Sequence, residues 1–198
     1  MREVHLIGNG ESSWLFDHNS SGPRLTCNLP PFAVPGAFAT AMVDFKMMYA
    51  INEGSVTVPG DWVLGFRPRI YCDKNPSFHM KHATQIREFY TVLPSYVPNY
   101  TDFSCGHMAC HYLANKKNPD VIHMYGFDSI FDFDLRSCSD FYLNSNRDSQ
   151  NTERLSRNWR AIWPPLFKEF PKVKFVLHHK HNNLKIDVPD NVEVMVHK

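Results

Sequence analysis

No stretch of this sequence is apolar enough for long enough to cross a bilayer, which takes about 20 consecutive apolar residues. Leu6-Ile7 runs straight into Gly8, so the start has no apolar core of a secretory leader. A disulfide framework is also missing. The five cysteines, Cys27, Cys72, Cys105, Cys110 and Cys138, are odd in number and irregularly spaced, which points to reduced thiols in a reducing compartment. There is no charge excess: 21 Lys and Arg face 20 Asp and Glu. With no basic stripe either, the overall field gives no reason to expect nucleic acid as a partner. No internal repeat and no Gly-Lys-Ser/Thr phosphate loop occurs. A soluble, cytoplasmic chain with no membrane span is expected.

What is present is apolar residue in quantity. At 43% hydrophobic and 14% aromatic, the chain can build a core, which excludes disorder and low complexity. Strand-like runs are expected at Glu3–Ile7, Arg24–Asn28, Thr40–Val43, Trp62–Phe66, Val121–Met124, Val173–His178 and Val192–Val196. Several read as continuous apolar runs, as strands buried on both faces do. Helical spacing is expected at Phe45–Ile51, Lys81–Leu93, Ser104–Asn115 and Thr152–Phe167, the last carrying Leu155, Trp159, Ile162 and Trp163 on one stripe. Pro164 and Pro165 are expected to end or bend that helix. The alternation defines an α/β class: one Rossmann-like domain over residues 1–198, with a mostly parallel sheet and helices on both faces. The Pro-rich stretch from Pro30 to Gly36 reads as a loop. The polar stretch from Ser137 to Asn151 reads as a lid or binding loop over the ligand edge.

The chemistry-bearing pattern lies at the start. A short apolar run ends at Gly8-Asn9-Gly10 and is followed by Glu11-Ser12-Ser13. Strand, tight loop and helix start in that order often bind a nucleotide or another anion. Glycines leave no side chain between backbone and ligand, and Asn9 offers both a donor and an acceptor. A purely structural strand-to-helix turn is the competing reading. A dinucleotide fingerprint is not met: Ser13 stands where a third glycine belongs, and Leu25-Thr26-Cys27-Asn28 supplies no acid for the ribose. A second junction, Val121-Ile122-His123-Met124-Tyr125-Gly126-Phe127-Asp128, repeats the strand-to-glycine pattern. Its Asp128 is able either to accept from sugar hydroxyls or to cap a turn.

Four segments together resemble the bacterial sialyltransferases of glycosyltransferase family 42 and related sialyltransferase-like proteins. They are Gly8-Asn9-Gly10-Glu11-Ser12, Thr26-Cys27-Asn28, Phe103-Ser104-Cys105-Gly106 and Gly126-Phe127-Asp128. Their order and rough spacing are similar over most of the chain, to about Leu155. The resemblance implies a nucleotide pocket lined by Gly8, Asn9, Gly10, Ser12, Asn28, Ser104, Cys105, Gly106, Gly126 and Asp128. It implies a nucleotide-sugar donor such as CMP-sialic acid, transfer to an unknown acceptor, and no cofactor. The chain departs from the family at Glu11, where a proline is usual. It departs again after Asp128, where Ser129, Ile130 and Phe131 replace a pair of tyrosines. No histidine lies between His123 and His178, so the histidine that precedes an Asn-Thr-Asp helix start in the family has no counterpart before Asn151-Thr152-Glu153.

Sugar transfer needs a base for the acceptor hydroxyl and stabilisation of the leaving phosphate. Asp148 is the candidate base, with Tyr142 or Arg147 toward the phosphate; His178 and His179 are further base candidates. Each also reads as an ordinary loop or strand-end residue. Cys105, His107, Cys110 and His111 are close in sequence, and His107 and His111 share a helix face, yet ordinary packing competes with a metal site there. His79 and His82 form a looser pair. The leading expectation is a metal-independent glycosyltransferase-like enzyme. The alternatives are a non-catalytic nucleotide-binding or interaction protein on the same fold, or a phosphotransferase that shares it.

Overall fold

The structure, a computed structural model, describes residues 1–131 and 149–198, and for residues 149–156 the backbone only. Eight strands form one sheet: β1 (Glu3–Ile7), β2 (Arg24–Cys27), β3 (Ala37–Met42), β4 (Trp62–Leu64), β5 (Ile86–Phe89), β6 (Val121–Tyr125), β7 (Lys174–His179) and β8 (Val192–Val196). Their order is β5-β4-β3-β2-β1-β6-β7-β8, and every pairing is parallel. The chain winds outward from β1 to β5, then crosses back to place β6 on the other side of β1. This is a doubly wound, Rossmann-like α/β fold with its switch point between β1 and β6.

The pleat sorts side chains between the two faces. Val4, Leu6, Leu25, Cys27, Ile122, Met124, Phe175 and Leu177 point to the first face. There they pack with α4 (Cys105–Lys117) and α5 (Ser149–Glu169) through Met108, Leu113, Ile162, Trp163 and Leu166. On the second face α1 (Phe45–Glu53), α2 (Phe66–Lys74) and α3 (Pro76–His82) set Met47, Met48, Tyr71 and Phe78 against Met42, Trp62 and Leu64. Each such large side chain contributes about 1.5–3 kcal/mol on burial. Past the edge of these helices, Ile7, Phe16 and Tyr125 form a small cluster over β1 and β6.

Three expectations need correction. Lys81–Leu93 is not a helix: α3 ends at His82, and Ile86–Phe89 is the edge strand β5, paired only with β4. A strand with one neighbour exposes alternate polar residues, so Arg87 and Glu88 blur its β pattern. The strand expected to run to Phe66 stops at Leu64, and Phe66 opens α2. There Pro68 sits in the first turn, where a missing N–H costs nothing. Pro164 and Pro165 do not end α5, which continues to Glu169. Burial of Trp163, Leu166 and Phe167 in the core holds that last turn.

Candidate functional site

The Gly8-Asn9-Gly10 loop lies at the carboxyl ends of the strands, at the switch point, and is clasped by the turn after β6. Gly8 N–H donates to the Tyr125 carbonyl at 2.7 Å and Gly10 N–H to the Gly126 carbonyl at 3.0 Å. The Ser12 hydroxyl accepts from Gly126 N–H at 3.1 Å, and Ser12 N–H donates to Asp128 Oδ2 at 3.0 Å. A Cβ on Gly8 would come within 2.8 Å of the Gly126 oxygen, and one on Gly126, whose φ is +84°, within 2.9 Å of Gly8 C. These glycines are therefore required by two backbones meeting. The segment after the loop is a five-residue 3-10 helix, η1 (Glu11–Leu15), not an α-helix. Glu11 is exposed at its start.

Asp128 completes this knot. Its Oδ1 lies 3.2 Å from Nε2 of His179 at the end of β7. The His179 ring stacks on Phe131 with centroids 3.9 Å apart, and its Nδ1 accepts from His181 N–H at 3.1 Å. With Nδ1 accepting, Nε2 carries the proton and donates to the carboxylate. Both ring nitrogens of His179 are thus held, and Asp128 serves as a cap and an anchor.

A second group gathers at the ends of β2 and β3 and the start of α4. The Asn9 side-chain amide donates to the Cys27 carbonyl. Asn28 is left-handed at φ +48°, its N–H donates to the Ala41 carbonyl at 3.0 Å, and its Oδ1 is buried without a hydrogen-bond partner. The Cys105 thiol donates to that same Ala41 carbonyl at 3.1 Å, and its pKa is raised well above the ordinary value by the neighbouring Cys27 thiol and by burial. It is no nucleophile. Ser104 caps α4 in a reciprocal box: its hydroxyl accepts from His107 N–H, and its own N–H donates to His107 Nδ1 at 3.0 Å. A Cβ on Gly106 would meet the Phe127 ring at 2.6 Å, so that glycine lets α4 approach the turn after β6.

His178 does not join this edge. Pleating turns it to the second face, stacked on Tyr125 at 4.2 Å, with both nitrogens bonded to other histidines. That placement turns its ring away from Asn9, Asn28 and the start of α4. Asp148, Tyr142 and Arg147, with positions 137–148 of the expected lid, lie outside the described residues. His107 is fully buried, bonds the Trp159 carbonyl at 3.0 Å, and has its pKa pushed down to about 3 by burial. His111 joins Tyr90 at 2.6 Å and Glu169 at 2.9 Å. Among the described residues no group of three or more His, Cys, Asp or Glu is arranged to hold a metal ion. Nor is any helix there long and apolar enough to cross a membrane.

Two features escaped the sequence reading. Trp14 of η1 is 63% exposed and lies against Phe32 of the Pro-rich loop, ring centroids 4.9 Å apart. An exposed aromatic directly after the glycine loop was the available signal. A groove of about 550 Å³ is lined by Arg157, Arg160, Lys168, Lys185 and Asp187. The helical spacing of Arg157, Arg160 and Lys168 on α5 would have announced its basic wall. None of the expected site residues lines it.

Compared with protein-family models, with curated proteins and with solved structures, the chain gives no match.

Proposed function

We propose that the chain binds a nucleotide at the carboxyl edge of the sheet, among Asn9, Asn28 and the start of α4. The class is a nucleotide sugar, with a CMP-linked donor first, as the resemblance to sialyltransferases implies. One observation carries this reading: the buried, unpartnered Oδ1 of Asn28. An orphaned acceptor costs about 1–3 kcal/mol unless something supplies a donor, and the exocyclic amine of cytosine is such a donor. The edge position supports it, because open parallel sheets bind ligands there. The exposed Trp14 and Phe32 pair supports it further, as a surface on which a base or sugar would stack. Among the described residues Cys27, Cys72, Cys105 and Cys110 are free and buried, which fits a cytoplasmic setting.

On this reading the protein is a glycosyltransferase-like enzyme that passes the sugar to an acceptor. Binding without transfer is the second reading. It is favoured by the full engagement of His178 and His179, which leaves neither imidazole free to take a proton from an acceptor. Thermal unfolding with CMP, CDP, UDP and GDP tests the common ground. At about 100 times Kd a bound nucleotide adds about 2.7 kcal/mol of stability. Absence of any shift with all four would overturn the proposal. Release of free sugar or transfer from a CMP-linked donor would decide between enzyme and binder.

A further inference from the structure

Four ionisable side chains form an unbroken line on the second face of the sheet. Glu3 Oε2 lies 3.3 Å from Nε2 of His123, Nδ1 of His123 lies 2.9 Å from Nε2 of His178, and Nδ1 of His178 lies 2.8 Å from Nε2 of His197. The line follows from register. His5 pairs with His123, Tyr125 with His178, and His178 with Met195. Each link therefore moves one strand across and two residues along, which keeps every side chain on one face. We propose that Glu3, His123, His178 and His197 form a proton relay that runs diagonally across this face from the β8 margin to the Glu3 carboxylate.

The carboxylate sets the direction. It only accepts, so Nε2 of His123 carries the hydrogen and Nδ1 accepts. Nε2 of His178 must then donate to it, and Nε2 of His197 must donate to Nδ1 of His178. Nδ1 of His197, a half-buried residue, is left as the terminal acceptor. A proton from hydronium or a buffer acid bonds there. The Nε2–H bond of His197 breaks as an Nδ1–H bond forms on His178. The Nε2–H bond of His178 breaks as an Nδ1–H bond forms on His123. His123 then holds both ring hydrogens beside the Glu3 carboxylate. One proton has left solvent, one charge has moved to the Glu3 end, and no electrons have been transferred. His197 and His178 now have the opposite tautomer and His123 is the cation, so a second proton cannot follow until the first departs.

The surroundings favour passage through His178 over rest upon it. Burial, then the neighbouring imidazoles, push its pKa down to about 3. His5 of β1 stacks on His123 at 5.0 Å, and burial holds its own pKa low. Among the described residues, the other charged or titratable groups on this side include Tyr125 of β6, Asp17 after η1, Arg24 of β2, and the Lys174–Glu193 pair across β7 and β8. Among the described residues bonded to the row, Glu3 is the anionic one, so the proton settles beside it.

Nitrogen-15 NMR of the imidazoles in the intact chain, from about pH 8 to about pH 5, tests this. The relay requires the Nε2–H tautomer on all three rings at the upper end and uptake of a single proton shared by the trio. His178→Phe cuts the line; His123 and His197 should then titrate separately and take up a proton each. Three independent, ordinary titrations in the unaltered protein would overturn the proposal, as would unchanged His123 and His197 titrations in His178→Phe. If that variant fails to fold, Glu3→Gln serves at the surface. It should shift the shared proton from His123 toward His197, and an unchanged distribution would overturn the relay.

Discussion

Gly10 and Asp128 meet so closely that a Cβ on Gly10 would lie 2.0 Å from the Asp128 carboxylate oxygen and 2.7 Å from the Gly126 carbonyl. The same carboxylate caps Ser12 N–H and anchors His179. Gly10→Ala must therefore displace the anchor or the β6 turn. It should cost about 1–3 kcal/mol, read as a lower urea midpoint with an unchanged slope. Asp128→Asn keeps the shape but loses the negative charge and one acceptor. It should cost a similar amount, about 1–3 kcal/mol.

The stability of the fold should depend on pH through His107 and His178. Both are held to about 3 in the folded chain against an ordinary 6.5. Below pH 6.5 the unfolded chain binds protons that the folded chain refuses, so stability is full above that value and falls as the pH drops toward 3. Each imidazole adds a slope of about 1.4 kcal/mol per pH unit within the window. Urea midpoints across that range should show the fall, and His107→Phe should flatten it. A flat profile between the two values would contradict both burials.

Asn191 closes the end of α5. Its side-chain amide reaches the carbonyls of Phe167, Phe170 and Val173 at 3.0, 3.0 and 2.9 Å. The Phe167 and Phe170 carbonyls also accept from Phe170 and Val173 N–H, so Asn191→Ala removes the side-chain bonds without orphaning those two and should cost about 1 kcal/mol. Asn191→Asp should cost more than the alanine, because it sets a negative charge against the negative end of a helix. Thermal unfolding of the pair of variants ranks them.

Asn28 separates binding from folding. Glycine accepts its left-handed backbone and removes the unpartnered Oδ1, so Asn28→Gly should melt at or above the temperature of the unaltered protein. Loss of a hydrogen bond of about 1–2 kcal/mol predicts a 5- to 30-fold weaker nucleotide Kd, roughly. Calorimetric titration with CMP measures it. Equal affinity in the two proteins would remove Asn28 from the site.

Legibility differed from element to element. Glu3–Ile7 and Val192–Val196 were readable to the residue, because each carries a short apolar run, the first stopped by Gly8 and the second preceded by Pro189-Asp190-Asn191. The edge strand Ile86–Phe89 was not, since a strand with one partner mixes Arg87 and Glu88 into its pattern. At the site, the structure brings Gly8, Gly10, Ser12, Gly126 and Asp128 into mutual contact. Their mutual bonds could not be read from their motifs: a glycine packed on backbone and a glycine facing a ligand look alike in one dimension. His178 looked like a strand-end base, and only the pleat turned it to the other face.

The sequence by itself determined the class of this protein. Apolar runs too continuous for a one-sided sheet, separated by helical stretches, leave an α/β fold with buried parallel strands as the consistent solution. It also put the glycine turns at strand ends, since apolar runs stop where glycine begins. Tertiary structure alone decided which residues meet. The clasp between Gly10 and Asp128 spans chain positions from opposite halves of the fold. The line from Glu3 through His123 and His178 to His197 exists because register offsets place them on one face. Such contacts depend on strand order and registry, and these are set by the packing of the whole core, not by any local run of residues.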